Sequence, residues 1–73
     1  MAIQIVMDRT GDSRHPFNPR DTRELEKAEQ RFRELTNAGF TAAVRTGPEQ
    51  VSQIRSFAPN AEETVFFPRL VGG

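Results

Sequence analysis

The chain has 73 residues, of which 36% are hydrophobic and 27% are charged, and its formal net charge is +0. This length and composition predict one small globular domain, and the balanced charge argues against nucleic-acid binding through bulk electrostatics. Cysteine is absent and His15 is the only histidine, which argues against thiolate chemistry, a histidine-based metal centre and a catalytic triad. We therefore expect no catalytic residue, no metal and no bound cofactor.

The hydropathy pattern indicates the cellular compartment. The sequence contains no apolar run of about 18 residues. Its first residues lack the basic-then-apolar pattern of a secretion signal. These features predict a cytoplasmic protein that does not associate with a membrane.

The first predicted element is a strand over residues 2–7. Side chains alternate along it, so Ile3 and Ile5 share one face while Gln4 and Val6 lie on the other. The two isoleucines make their face the one that we expect in the core.

A turn over residues 8–12 and a returning strand over residues 13–17 complete a predicted hairpin. Gly11 can supply a positive φ in the turn, and Pro16 suits an edge strand because it has no N–H to donate. Two carboxylates and a threonine in the turn are too few ligands for a calcium site, so we interpret the turn as structural.

The next segment predicts the start of a helix in two alternative registers. Asn18 can cap the helix with Pro19 at the first helical position, or Asp21 can cap it with Glu24 three residues later. Apolar residues then recur at spacings of three and four, at Leu25, Ala28, Phe32 and Leu35. This stripe predicts a helix that packs on a sheet, and Gly39 can end it in the left-handed conformation.

A second hairpin is predicted after the helix. Residues 40–46 alternate like a strand and residues 47–50 form a turn. Residues 51–57 fit a strand or a short helix. We favour the strand, which would place Val51 and Phe57 on one face.

The end of the chain combines a strand with a tail. Residues 65–67 are strand formers, and the proline that follows cannot extend a central ladder. We therefore predict a folded domain over residues 1–67 and a flexible tail over residues 68–73. Because glycine has no Cβ, the final Gly72 and Gly73 can enter a channel too narrow for other dipeptides.

The residues of this tail resemble those of known families. The segment Arg69-Leu70-Val71-Gly72-Gly73 is similar to the Arg-Leu-Arg-Gly-Gly end of ubiquitin, with Val71 at the second arginine. With Phe66-Phe67-Pro68 before it, the end also resembles the small sulfur-carrier subunit of molybdopterin synthase, which reads Phe-Phe/Ile-Pro-Pro-Val-x-Gly-Gly. Arg69 departs from the second proline of that pattern. The match covers about the last eight residues.

The resemblance implies the α+β β-grasp (ubiquitin-like) fold, a mixed sheet of four to five strands packed on one central helix. In this fold the last strand pairs beside the first. The expected core then consists of Ile3, Ile5, the helix stripe, Phe40, Val44 and either Val65 or Phe67.

The resemblance also implies a function of the bacterial ubiquitin-like kind, in which the chain is a protein modifier and not an enzyme. An adenylating activating enzyme would use ATP, which this chain does not bind, to activate the Gly73 carboxylate for conjugation to amines of target proteins. Gly72 would let the tail thread into that enzyme. The tail residues expected to be read by the activating enzyme, a conjugating enzyme and a metalloprotease-type deconjugating enzyme are Pro68, Arg69, Leu70, Val71 and Gly72.

Two alternatives remain open at this point. The chain can be a sulfur carrier whose C-terminal thiocarboxylate delivers sulfur, or a β-grasp binding module that is never conjugated. The sequence does not name the targets, and it leaves open a longer precursor that is processed to Gly73.

Overall fold

The computed structural model describes residues 1–68, in which one helix packs on one face of a five-stranded mixed sheet. The strands are β1 (Ala2–Asp8), β2 (Gly11–Phe17), β3 (Phe40–Gly47), β4 (Gln50–Ile54) and β5 (Glu63–Pro68), and the helix is α1 (Thr22–Asn37). The predicted α+β class, with a single helix on a mixed sheet, is confirmed.

The last strand lies at the centre of the sheet, whose strand order is β2-β1-β5-β3-β4. Val65 of β5 is paired with Ile5 in the parallel strand β1 and with Ala43 in the antiparallel strand β3. The predicted pairing of the first and last strands is therefore confirmed. The two outer pairs, β1 with β2 and β3 with β4, are the predicted antiparallel hairpins.

Asp21 caps α1, so the second of the two predicted registers is the observed one. Its Oδ1 accepts hydrogen bonds from the backbone N–H groups of Arg23 at 3.0 Å and Glu24 at 3.4 Å. Asn18 lies outside the helix, where its Oδ1 accepts from the N–H of Arg20 at 3.0 Å. Asn18 therefore closes the turn that leads into the helix.

Replacing Asp21 by alanine is expected to lower the free energy of unfolding by about 1 kcal/mol, because two N–H groups of the first turn lose their acceptor. Asn18→Ala removes one exposed turn hydrogen bond and should cost less. Urea unfolding followed by circular dichroism compares the two variants. An equal or larger loss for Asn18→Ala would show that the helix is capped in the other register.

The helix stripe forms the core as predicted. Ala28 and Phe32 are buried, and Leu25 and Leu35 pack against them as half-buried neighbours. The described part of the chain contains no helix long and apolar enough to span a bilayer. Gly39 ends the helix with a φ of +102°, the left-handed conformation that its sequence position predicts.

The face of β1 that contacts the helix is the opposite of the predicted one. It carries Ala2 and Gln4, so the placement of Ile3 and Ile5 in the helix-side core is wrong. Gln4 is 0% exposed, and its burial is tolerated because both ends of its amide are hydrogen-bonded to the helix. Its Nε2 donates to the carbonyl of Ala28 at 2.9 Å, and its Oε1 accepts from Arg31 Nη1 at 3.0 Å.

The same inversion holds in β5. Phe66 is 0% exposed and packs edge-on against Phe32, with ring centroids 5.6 Å apart. The prediction of Val65 or Phe67 in this core is therefore wrong, since both point to the other side of the sheet. Phe40 is partly buried on the helix side, as expected.

The ambiguous segment after the second turn is a strand only as far as Ile54. The prediction that Phe57 shares a face with Val51 is wrong, because the chain leaves the sheet before Phe57. The Phe57 ring instead turns into the core, 5.9 Å from that of Phe32 and 6.3 Å from that of Phe17.

Candidate functional site at the end of the central strand

The central strand β5 is the last element of the described structure. Pro68 is the last residue of β5 and pairs with Phe40 of β3, so it belongs to the sheet and not to the tail assigned from residue 68 onward. The remaining predicted site residues, Arg69, Leu70, Val71, Gly72 and Gly73, lie outside the described residues. What the sequence predicts for them stays a prediction.

Two connections flank the end of β5. Because β1 runs parallel to β5, the turn that follows Asp8 lies at the same end of the sheet as Pro68. The antiparallel strand β3 begins at this end, directly after the helix cap at Gly39. The end of β5 therefore lies between the β1–β2 turn and the α1–β3 connection.

The side of the sheet that faces away from α1 is apolar along β1 and β5. We call it the open face; its apolar residues on β1 and β5 are Ile3, Ile5, Met7, Val65 and Phe67. Met7 is 48% exposed and Phe67 38%, whereas Ile5 between its neighbours is only 9% exposed. Ile5, Met7, Val65 and Phe67, together with adjoining side chains, line a shallow hollow of about 390 Å³.

Ion pairs border the open face. Arg45 Nε lies 3.2 Å from a carboxylate oxygen of Glu63, and Arg14 Nε lies 3.9 Å from one of Asp12. Exposed pairs of this kind contribute little to folding, on the order of 0–1 kcal/mol. An exposed apolar patch with a charged rim is the usual form of a protein-docking surface.

Sequence reasoning missed this surface because it placed Phe67 in the core. A signal was present in the alternation of the strands. Glu63 shares a face with Phe67, and Arg45 shares a face with Ala43. A charged residue in phase with apolar neighbours indicates the side of a sheet that meets solvent.

The β1–β2 turn is closed by its own side chains. Asp8 Oδ1 accepts from the N–H of Thr10 at 2.8 Å and from its hydroxyl at 2.9 Å. These hydrogen bonds, the backbone one first, hold the pKa of Asp8 below its ordinary value. Gly11 follows with a φ of +127°, as predicted. The observed turn agrees with the structural interpretation.

His15 lies on the edge strand β2, where its Nε2 is 3.2 Å from the hydroxyl of Ser13. Burial, and secondly the charge of Arg31, lower the pKa of His15 below its ordinary value. Within residues 1–68 there is no group of three or more histidine, cysteine or acidic side chains placed to hold a metal ion.

Comparison with known proteins adds no relative: no family model, no curated protein and no solved structure matches the chain.

Proposed function

We propose that this chain is a ubiquitin-like protein modifier of β-grasp fold, acting in the cytoplasm. In this proposal the reacting group is the carboxylate of Gly73, present as the terminus or exposed by cleavage of a precursor. The chain is carried as a substrate and performs no catalysis. The observation that carries the proposal is the Arg-Leu-Val-Gly-Gly segment placed directly after the central strand of the sheet.

The proposed chemistry takes place on the activating enzyme. A carboxylate oxygen of Gly73 attacks the α-phosphate of ATP and displaces pyrophosphate, which leaves an acyl adenylate. A thiolate of the enzyme displaces AMP to form a thioester, and an amine of the target displaces the thiol to form an amide. Because glycine has no side chain, neither Gly72 nor Gly73 obstructs these attacks.

The position of β5 supports this proposal. β5 is paired with β1 as far as Phe66 and with β3 as far as Pro68, so these pairs fix the position of the residue from which the tail continues. Five further residues extend at most about 18 Å at about 3.3–3.6 Å each, enough to reach a recessed active site while the body stays outside.

The open face supports it as well. Met7 and Phe67 expose apolar surface beside the end of β5, so an enzyme that holds the body there has the tail within reach. Burying this surface on association would contribute about 25 cal/mol for each Å² removed from water. We propose the open face as the docking surface for the activating enzyme.

Replacing Gly73 by alanine is expected to slow adenylation by about 100-fold or more, because a Cβ beside the reacting carbon displaces it in a narrow channel. The assay is ATP–pyrophosphate exchange with activating enzyme from the host. Gly47→Ala is the matched control. Gly47 lacks a positive φ, and a Cβ there meets Gln50 at an ordinary 3.4 Å, so this variant should be adenylated normally. Equal rates for both variants would contradict the proposal.

The same tail admits a second fate, favoured by the Phe66-Phe67-Pro68 sequence before it. In a sulfur carrier, the outer sulfur of an enzyme persulfide displaces AMP to form an acyl disulfide. A second thiolate of the enzyme then attacks the enzyme-bound sulfur, which forms an enzyme disulfide and releases Gly73 as a thiocarboxylate. Intact masses of N-terminally tagged protein, purified from the host under denaturing conditions, separate the cases. Heavier adducts that vanish when Gly72 and Gly73 are deleted indicate a modifier. A sulfur-for-oxygen mass change indicates a carrier, and no change with or without the glycines indicates a binding module.

A further inference from the structure

The two edges of the sheet are protected very differently. β2 forms one edge and carries Asp12, Arg14 and Pro16, the residue types that discourage a further strand from pairing. β4 forms the other edge and contains no charged residue and no proline; its sequence is Gln50-Val51-Ser52-Gln53-Ile54. The β4 edge therefore lacks the usual protection against strand addition.

β4 is also held ready for pairing. Ile54 packs against the core and β3 pairs with the strand along its length, so its backbone is already extended. Residues 50–53 are exposed, and Val51 is 58% exposed. Alternate backbone N–H and C=O groups on the outer side of such an edge have no ladder partner.

The charges just outside the strand indicate what pairs with it. Glu49 precedes β4 and Arg55 follows it; both are exposed, and neither makes an ion pair among the described residues. In an antiparallel pair of two β4 strands centred on Ser52, Glu49 of each copy lies opposite Arg55 of the second copy. A parallel pair in register would instead oppose like charges. The charges of Glu49 and Arg55 are therefore complementary between two copies only when the two β4 strands are antiparallel.

We propose that β4 is a self-association edge, through which two copies of the chain form a homodimer with a continuous sheet of two times five strands. The two-fold axis is perpendicular to the sheet and passes midway between the Ser52 residues of the two copies. This axis keeps both helices on one side and both open faces on the other, and it pairs Val51 with Gln53 of the second copy. The association requires none of residues 69–73.

The size of the contact sets the strength of the dimer. A strand of five residues spans about 17 Å, so the pairing buries less than the roughly 1,200 Å² of the smallest specific interfaces. We therefore expect a reversible dimer that dissociates on dilution and weakens at high salt, because the Glu49–Arg55 contacts are exposed.

Analytical ultracentrifugation of the full chain over about a 100-fold concentration range tests the proposal. The mean mass should rise from 8.2 kDa toward twice that value. Arg55→Glu opposes two carboxylates at each end and should raise the dissociation constant about tenfold. The double variant E49R/R55E exchanges the charges and should restore association. Ser52→Lys, which opposes two ammonium groups at the axis, should also weaken the dimer.

Ser13→Lys is the matched control on the β2 edge and should dimerise like the unaltered chain. Far-UV circular dichroism confirms that each variant is folded. A monomer at every concentration would overturn the proposal and leave the β4 edge to a strand of another protein. Equal dissociation constants for the unaltered chain and R55E, or weakening by Ser13→Lys and not by Ser52→Lys, would overturn it as well.

Discussion

Replacing Phe66 by alanine is expected to lower the free energy of unfolding by about 3–5 kcal/mol. A domain of this length has on the order of 4–11 kcal/mol in total, so the variant should lose a large share of its stability. The reason is position: Phe66 is 0% exposed and lies on the central strand, paired with Val6 of β1 and Ala42 of β3. Its ring meets that of Phe32 at 69°.

The adjacent residue is the matched control. Phe67 has the same side chain on the same strand, but it points to the open face and is 38% exposed. Phe67→Ala should cost about 1 kcal/mol or less, since the ring leaves no enclosed cavity. Urea unfolding at equal protein concentration compares the two. Equal losses, or a larger loss for Phe67→Ala, would mean that the helix packs on the other face of the sheet.

The second large effect is expected at Gln4. Replacing it by alanine should lower the free energy of unfolding by about 2–3 kcal/mol. The change removes the hydrogen bond to the Ala28 carbonyl and the one from Arg31, and it leaves a gap beneath the helix. Thermal and urea unfolding measure the loss.

Gln53→Ala is the control for Gln4→Ala, because it removes the same side chain from an exposed position on a strand. It should change the free energy of unfolding by no more than about 0.5 kcal/mol. A Gln4 variant as stable as the Gln53 variant would mean that the two buried hydrogen bonds contribute nothing net. Measurement at low protein concentration keeps association through β4 out of the comparison.

Local patterns were sufficient to predict the helix and its neighbours. The stripe of Ala28 and Phe32 follows from a spacing of four, and the cap at Gly39 follows from the freedom of glycine. The hairpins follow from alternation broken by turn residues. Each of these signals is contained within a few residues, so it can be recognised from one sequence.

The face of the sheet that forms the core could not be predicted in this way. β1 has apolar residues on both faces: Ile3 and Ile5 on one, Val6 on the other. Hydrophobicity alone therefore does not decide which face contacts the helix. The decision rests on Gln4, whose partners Ala28 and Arg31 lie 24 and 27 residues away. A buried glutamine is tolerated only when such distant partners satisfy it, and alternation carries no information about them.

Part of the candidate site could likewise be predicted from the sequence and part could not. The sequence predicted that the last strand ends at Phe67, one residue before the observed end at Pro68, because proline has no N–H with which to continue the ladder. It did not find the open face, since exposure of Met7 and Phe67 depends on which side α1 covers. The residues beyond Pro68 are the ones on which the proposed chemistry depends, and their assignment rests on the tail sequence alone.

The central position of β5 has a consequence for how the protein folds. The two hairpins lie on either side of β5 in the strand order, and within the sheet they are joined only by β5, the last strand of the described residues. An isolated two-stranded hairpin is at best marginally stable in water. Before β5 inserts between them, the two hairpins have no hydrogen-bonded connection within the sheet and share only the helix that packs on both. Folding is then a single cooperative event, and the amide protons of both hairpins should share one level of protection from exchange.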